Sequence, residues 1–492
     1  MDKSQFFKHL EDQGLALTYD DVRMRPAPSK VTASEVNIKS RFSRNVELKI
    51  PLVSAAMDTV TESAMAIALA KAGGIGVIHS ALSIQKQKEE VRRVKLHLNG
   101  LVENPVTVYE TQLIADVLYM CDQNKFEFRT FPVIDKNNKF VGLITQNDFD
   151  FAKSKDKVAD VMTSKSEVIL AEAGTTIAKA HSVMKKNKKK TLPLLSKDGS
   201  VAGLYIFSDV KRVANGDFEL YNLDKNGHLR VAAAVPTDDE ALERVEAMKE
   251  YLDVVVIDTA QGDSRFAFDT LKKLKKKFPK IDVVVGNVSS GESARMLAEA
   301  GADGIKVGQG PGSICTTRIE TGIGVPQVTA VYECAKAIAK FNIPVCADGG
   351  ITNPGDVPVA IAAGADCVMM GSKFAGTSET PGEIITLQSG ARVKLFRGMG
   401  SPSAIRDNSS SRKRYGDDAT TIPLAEGVES YVPDRGPVSD VIDHYVKALR
   451  KGMAYVGAKD FKDHHKNTSF VRITGSGLRE SHPHDVDVIR TA

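Results

Sequence analysis

A cysteine stands among three glycines, a serine and two threonines at Gly308-Gln309-Gly310-Pro311-Gly312-Ser313-Ile314-Cys315-Thr316-Thr317-Arg318, directly after the apolar run Gly304-Ile305-Lys306-Val307. Glycines accept positive φ and have no Cβ, so such a loop can turn backbone N–H groups toward an anion while presenting a thiol beside it. That is the chemistry of an anchored phosphate next to a nucleophile. A lone cysteine at a strand-to-helix turn is more often a small buried hydrophobe, but the crowd of small and hydroxylic neighbours favours the reactive reading. Gly308-x-Gly310-x-Gly312 is not the G-x-G-x-x-G dinucleotide spacing. Two further groups carry chemistry. Arg414-Tyr415 sets a planar cation beside a phenol, which taken alone reads as a solvated charge and an incidental aromatic. Arg479-Glu480-Ser481-His482-Pro483-His484-Asp485 offers carboxylate, hydroxyl and backbone oxygens with two histidines, a set that suits a hard ion or a plain C-terminal turn better than a transition metal.

These groups need a scaffold. Short runs rich in valine and isoleucine recur, each followed by a polar or glycine-rich loop and a helical pattern, which is the signature of β/α units. The expected strands are Leu52–Ala55, Ile75–Ile78, Leu229–Ala233, Val254–Ile257, Val283–Gly286, Gly304–Val307, Ile343–Ala347 and Cys367–Met370. Polar loops follow them, including Ser54-Ala55-Ala56-Met57-Asp58, Asp258-Thr259-Ala260-Gln261-Gly262, Asp348-Gly349-Gly350 and Gly371-Ser372. Eight such units predict a (β/α)8 TIM barrel, an α/β fold whose active site is built from the loops after the strands. A doubly wound open sheet is the alternative.

The distance between the second and third strands far exceeds one helix, so a module is inserted there. Pro132, Gly142 and Asp148 recur as Pro193, Gly203 and Asp209, each displaced by 61 residues. The two copies, over 100–220, resemble a tandem CBS pair, which implies purine nucleotide effectors with Asp148 and Asp209 at the regulatory nucleotide sites. In the second copy Ile206 stands where the first has Thr145. The barrel is then formed by 1–99 and 221–492. After its last strand, Arg406 to Asp418 lacks apolar periodicity, and a mobile loop or lid is expected, within a flap of about 402–430.

Composition excludes several classes. Hydrophobic residues make up 42% and charged residues 26% of the 492, as in globular proteins. A net charge of +4, from Lys+Arg 66 against Asp+Glu 62, argues against a nucleic-acid partner. Five cysteines without a C-x-x-C pair argue against a disulfide framework or structural zinc. The N-terminus lacks a signal-peptide layout and no stretch is apolar for a membrane span, so a cytoplasmic protein with no membrane partner is expected.

The cysteine loop, with Leu17-Thr18-Tyr19-Asp20-Asp21-Val22, Ser54 to Glu62, Asp348-Gly349-Gly350-Ile351, Gly376 to Glu383, Arg397-Gly398-Met399-Gly400-Ser401 and Phe470 to Asp485, resembles the IMP dehydrogenase/GMP reductase family. The resemblance spans nearly the whole chain and implies NAD-dependent oxidation of IMP to XMP. It makes Cys315 the nucleophile toward C2 of IMP, Arg414 and Tyr415 the flap pair that enters the vacated nicotinamide site, with the arginine as base toward water, and Thr317 and Glu426 their assistants. IMP would meet Ser54, Met57, Ser313, Asp348, Gly350, Gly371, Ser372, Phe396, Gly398, Met399, Gly400 and Glu426. NAD would meet Asp258, Gly308, Gln309 and Gly310. A potassium ion would take oxygens from Gly310, Gly312 and Cys315 together with Glu480, Ser481 and His482 of a neighbouring subunit, which implies a homotetramer or an octamer. Phe396, Gln309, Ser430 and the Pro402–Ile405 stretch depart from the family pattern, and Lys394-Leu395-Phe396 reads like GMP reductase, which deaminates GMP to IMP with NADPH. A nucleotide sensor relying on the repeat alone would not need Cys315, Thr317 and Asp348.

Overall fold

The computed structural model describes residues 2–98, 101–102, 105–123, 126, 128–215, 218–415 and 423–486. It divides into two compact units, Met1–Lys95 with Leu220–Ala492, and Leu96–Glu219.

The first unit is a closed parallel barrel of β1 (Leu52–Ser54), β2 (Ile75–Ile78), β3 (Ala232–Val235), β4 (Val254–Asp258), β5 (Asp282–Val288), β6 (Gly304–Val307), β7 (Val345–Asp348) and β8 (Cys367–Met370). Alternate residues face inward. Val53, Val77, Ala232, Ala234, Val254, Val256, Val284, Cys346, Cys367 and Met369 fill the interior. Phe42, Val46 and Leu48, on the hairpin of Ser40–Ser43 and Val46–Leu48, join the same core and close its N-terminal end. The third strand begins later than expected, at Ala232, because the chain before it pairs with the preceding turn: Leu229 bridges Leu223 and the Arg230 N–H donates to Asn222 O.

Near the chain ends, Lys3 Nζ donates to Ala362 O at 2.8 Å and to His465 O at 3.0 Å. His464, fully buried, lies 2.9 Å from Pro358 O. Burial pushes both His464 and His465 down to about 4, with the nearby Lys3 charge adding to it. Because the folded state disfavours their protonation, the unfolded chain binds more protons, and stability present above about pH 6.5 is lost as the pH falls toward 4. Between pH 7 and pH 5 the loss should approach about 2 kcal/mol per histidine. Melting temperatures measured across this window should fall, and fall less in a variant carrying His464→Gln and His465→Gln.

Among the described residues the second unit holds two four-stranded sheets. One is Val108–Tyr109, Phe131–Ile134, Phe140–Ile144 and Thr163–Ser164; the other is Leu101–Val102, Val201–Ile206, Thr191–Leu195 and Ala171–Glu172. In each copy of the sequence repeat an antiparallel pair leads into a helix, Gln146–Phe151 in the first and Phe207–Asn215 in the second. Each copy has its own apolar core, around Phe131 and Phe149 in one and around Leu192 and Val210 in the other.

Candidate active site

The inward parity of the strands sets the first layer of the site. On β4, Val254 and Val256 are followed inward by Asp258; on β7, Cys346 by Asp348; on β6, Gly304 by Lys306. Lys306 Nζ lies 2.9 Å from Asp258 Oδ1 and 2.6 Å from Asp348 Oδ2, and donates to Asn287 Oδ1. Gly286 makes room for it, since a Cβ there would come within 2.6 Å of Lys306 Cβ. A buried charge is tolerated only when paired and hydrogen-bonded. Burial favours the neutral amine, but the two carboxylates outweigh it and hold the Lys306 pKa above the ordinary lysine value. Burial likewise raises Asp258, yet Arg414 and Lys306 outweigh it and keep this carboxyl below the usual range.

The cysteine loop hangs from β6. Its far end is clipped to a distant segment: the Thr316 N–H donates to Glu426 O at 3.0 Å and the Val428 N–H to Ile314 O at 3.0 Å. This clip delivers Glu426 to Thr317, whose Oγ1 donates to Glu426 Oε2 at 2.7 Å and lies 3.1 Å from Cys315 Sγ. Because the threonine hydroxyl donates to the carboxylate, its lone pairs are left to accept from the thiol. The order thiol, hydroxyl, carboxylate is a geometry through which a proton can pass.

The flap is helical where composition suggests a mobile loop: Pro402–Asp407 and Ser409–Tyr415 are both helices. Residues 416–422 of the expected flap lie outside the described residues. Local capping explains the order. Ser401 caps the first helix with Pro402 in its first turn, and Asn408 Oδ1 accepts the Ser411 N–H at 2.9 Å. Ala404 and Ile405 bury the apolar side of the first helix, and the small side chains of Ser410 and Ser411 are buried in the second. Arg414 turns into the barrel mouth and Nη1 donates to Asp258 Oδ2, so it is an ion-paired group rather than a solvated one. Burial opposes its charge, but Asp258, Tyr415 and Asp348 outweigh it and raise its pKa above the ordinary value. Tyr415 packs on Gly400, where a Cβ would approach the ring Cζ to 2.8 Å. Burial pushes the Tyr415 phenol up.

These parts enclose a cavity of about 370 Å³. Its lining includes Cys315, Thr317, Arg414, Tyr415 and Glu426; Met57, Ser313, Asp348, Gly350, Gly371, Ser372, Phe396, Gly398, Met399 and Gly400; and Asp258, Gly308, Gln309, Gly310 and Gly312. Ser54 is not part of it. Parity turns Val53 inward and Ser54 outward, where it is fully buried and accepts from Thr61 Oγ1 at 2.9 Å. Glu480, Ser481 and His482 lie at the end of the exposed helix Gly475–Glu480 and do not line the cavity. In the second unit Asp148 Oδ2 accepts from the Thr145 N–H at 2.7 Å and Thr145 Oγ1 at 2.8 Å, a capping box, and Asp209 lies in the first turn of Phe207–Asn215. Lys306, Asn287 and Tyr19, to which the sequence alone assigns no role in the site, also line the cavity. The signal for Lys306 is a lysine at inward parity inside an apolar strand.

A model of the IMP dehydrogenase / GMP reductase domain matches residues 16–484. The chain belongs to the IMP dehydrogenase/GMP reductase family. Within that family it is 45% identical over 480 residues to inosine-5'-monophosphate dehydrogenase of Aquifex aeolicus, covering 97% of this chain and 96% of that one. It is 41% identical to the enzyme of that name from Bacillus subtilis, with 96% of each chain covered. Among solved structures it resembles GMP reductase from Trypanosoma brucei in complex with guanosine 5'-monophosphate, at 36% identity and a TM-score of 0.85, covering 97% of this chain and 100% of that chain. The family's two activities thus both have relatives that align with nearly the whole sequence.

Proposed function

We propose that this protein oxidises IMP to XMP with NAD, through a covalent adduct on Cys315. The observation that carries the reading is the flap pair seated in the same cavity as the thiol, with Arg414 on Asp258 and Tyr415 on Gly400. A lid that fills the mouth beside the nucleophile is needed for a hydrolytic second step. Full-length relatives named inosine-5'-monophosphate dehydrogenase support the same reading.

Cys315 Sγ would attack C2 of the purine, its proton leaving by Thr317 to Glu426 and from there to solvent, which frees the carboxylate to take the proton of water in the second half-reaction. Glycine N–H groups at Gly350 and Gly371, with Ser372, suit the phosphate, and Asp348, already braced by Lys306 and Asn287, suits the ribose hydroxyls. NAD, when bound, accepts the hydride expelled from C2. Asp258 is the group suited to its ribose, and Arg414 takes the same carboxylate in the closed flap, so the two occupants exclude each other. Water then adds to C2, the C2–S bond breaks, and the thiolate is restored. Held as a cation by Asp258, Arg414 is better suited to orient that water than to accept its proton, and the Thr317–Glu426 relay takes the proton instead.

Potassium fits the carbonyl oxygens of Gly310, Gly312 and Cys315, which are hard ligands, although Gly312 O also accepts the Cys315 N–H at 3.1 Å. The remaining ligands would come from Glu480, Ser481 and His482 of another subunit, hence a tetramer or octamer in the cytoplasm. The repeat would bind purine nucleotides and regulate the barrel. Because the two units have separate cores, removing residues 96–219 should leave IMP oxidation intact and delete any response to adenine or guanine nucleotides. Steady-state rates with and without added ATP or GTP would read this.

The second reading is GMP reductase, supported by the likeness to the trypanosomal enzyme and by Phe396 in the cavity wall. Absorbance at the reduced-cofactor band decides. IMP with NAD should give a rise; a fall with GMP and NADPH, and none of the first activity, would replace the reading.

A further inference from the structure

The flap helix Ser409–Tyr415 presents successive cations in two directions. Arg414 enters the cavity, whereas Lys413 reaches the outer rim and meets Asp238 Oδ2 at 2.6 Å and Glu240 Oε2 at 2.5 Å. These acceptors are held by scaffold contacts that do not involve the flap. Glu240 gives its other oxygen, Oε1, to Arg244 at 2.6 Å, and the buried Arg244 is fixed in turn by Gln87 Oε1 at 2.7 Å and Leu82 O at 2.9 Å. Gln87 is itself anchored on Ala234 O of β3 at 2.8 Å. Asp238 caps the helix Asp239–Met248. The scaffold therefore uses one oxygen of Glu240 and holds the second one, beside Asp238, facing the flap. A further contact, Ser80 Oγ to Ser410 Oγ at 2.5 Å, lies at the other end of the same helix.

We propose that Lys413, received by Asp238 and Glu240, is the latch that holds the flap closed and so positions Arg414 and Tyr415 for the hydrolytic step. It is a positioning residue, and it is not among the residues that line the cavity. The inference rests on the proposed dehydrogenase reading for its kinetic consequence, but not for the closure itself. An exposed ion pair is weak and screened by salt. Two carboxylates converging on one ammonium, one of them braced by a buried guanidinium, make this pair stronger than a lone surface contact.

The test measures amide hydrogen exchange over 409–415 in the full-length protein, alongside the burst and steady phases of NADH formation. Lys413→Ala should speed exchange about two- to fivefold at low salt, the span expected of a partly exposed pair. Lys413→Glu, placed against two like charges, should exceed tenfold, and Lys413→Arg should stay near wild type. Raising ionic strength should speed exchange in wild type and leave Lys413→Ala unchanged. Asp238→Asn, which keeps the helix cap, should reproduce part of the effect, and adding it to Lys413→Ala should cost less than the sum of the two. In the kinetics the NADH burst should persist in Lys413→Glu while the steady rate falls. Equal exchange in wild type and Lys413→Glu would overturn the latch. Faster exchange with burst and steady rate both unchanged would overturn its role in hydrolysis. Wild type that oxidises NADPH with GMP and ignores IMP would remove the dehydrogenase reading, while the exchange data would still decide the latch.

Discussion

Cys315→Ala should abolish NADH production from IMP while leaving IMP binding within a fewfold of wild type. In the proposed reaction the thiol bonds to C2, whereas the contacts suited to phosphate and ribose come from other loops: Gly350 and Asp348 after β7, Gly371 and Ser372 after β8. A substitution that removes an interaction made only along the reaction path lowers kcat without a matching change in affinity. The alanine also spares the loop. The backbone clip of 314–316 to 426–428 does not involve the side chain, so Thr317 and Glu426 keep their places. Calorimetric titration of the variant with IMP, beside a stopped-flow trace with NAD, reads both quantities. Turnover near wild type would exclude a covalent step at this residue, and loss of IMP binding would mean that the thiol also shapes the pocket.

Arg414→Ala separates the two half-reactions. In the proposed reaction hydride transfer takes place with the flap out of the mouth, so a burst of NADH equal to the enzyme present should survive. The following steady rate should fall about 10²–10⁴-fold, the contribution typical of a group that handles water or its proton. Mass spectrometry should then find the purine nucleotide trapped on Cys315. Glu426→Gln slowing the same phase to a similar extent would assign the proton to the threonine relay, with Arg414 as the orienting cation. An unchanged steady rate with no adduct would reduce Arg414 to a structural partner of Asp258. Since a reductase has no hydrolytic half-reaction, the same variant tests which member of the family this chain is.

Several parts of this site are local properties of the chain. Eight valine- and isoleucine-rich runs with polar loops behind them specify a barrel with its chemistry at one end, because each β/α unit must bury a strand against a helix. Period two within a strand makes Asp258 and Asp348 continue the inward rows of Val254, Val256 and Cys346. The displacement of 61 residues marks the two copies in the second unit before any coordinate is known. Other parts depend on register between strands and on chain segments far apart, which no local pattern encodes. Lys306 reads as one polar residue in an apolar run until closure of the barrel sets it between two carboxylates across the gap left by Gly286. Ser54 looks like a loop residue until the register of β1 turns it to the outside. Glu426 reaches Thr317 only through the backbone clip between segments more than a hundred residues apart. The flap composition carries too little apolar area to predict a packed element. Only the assembled rim, with Asp258 inside and Asp238 and Glu240 outside, supplies the charges that Arg414 and Lys413 need to settle as a helix against the barrel.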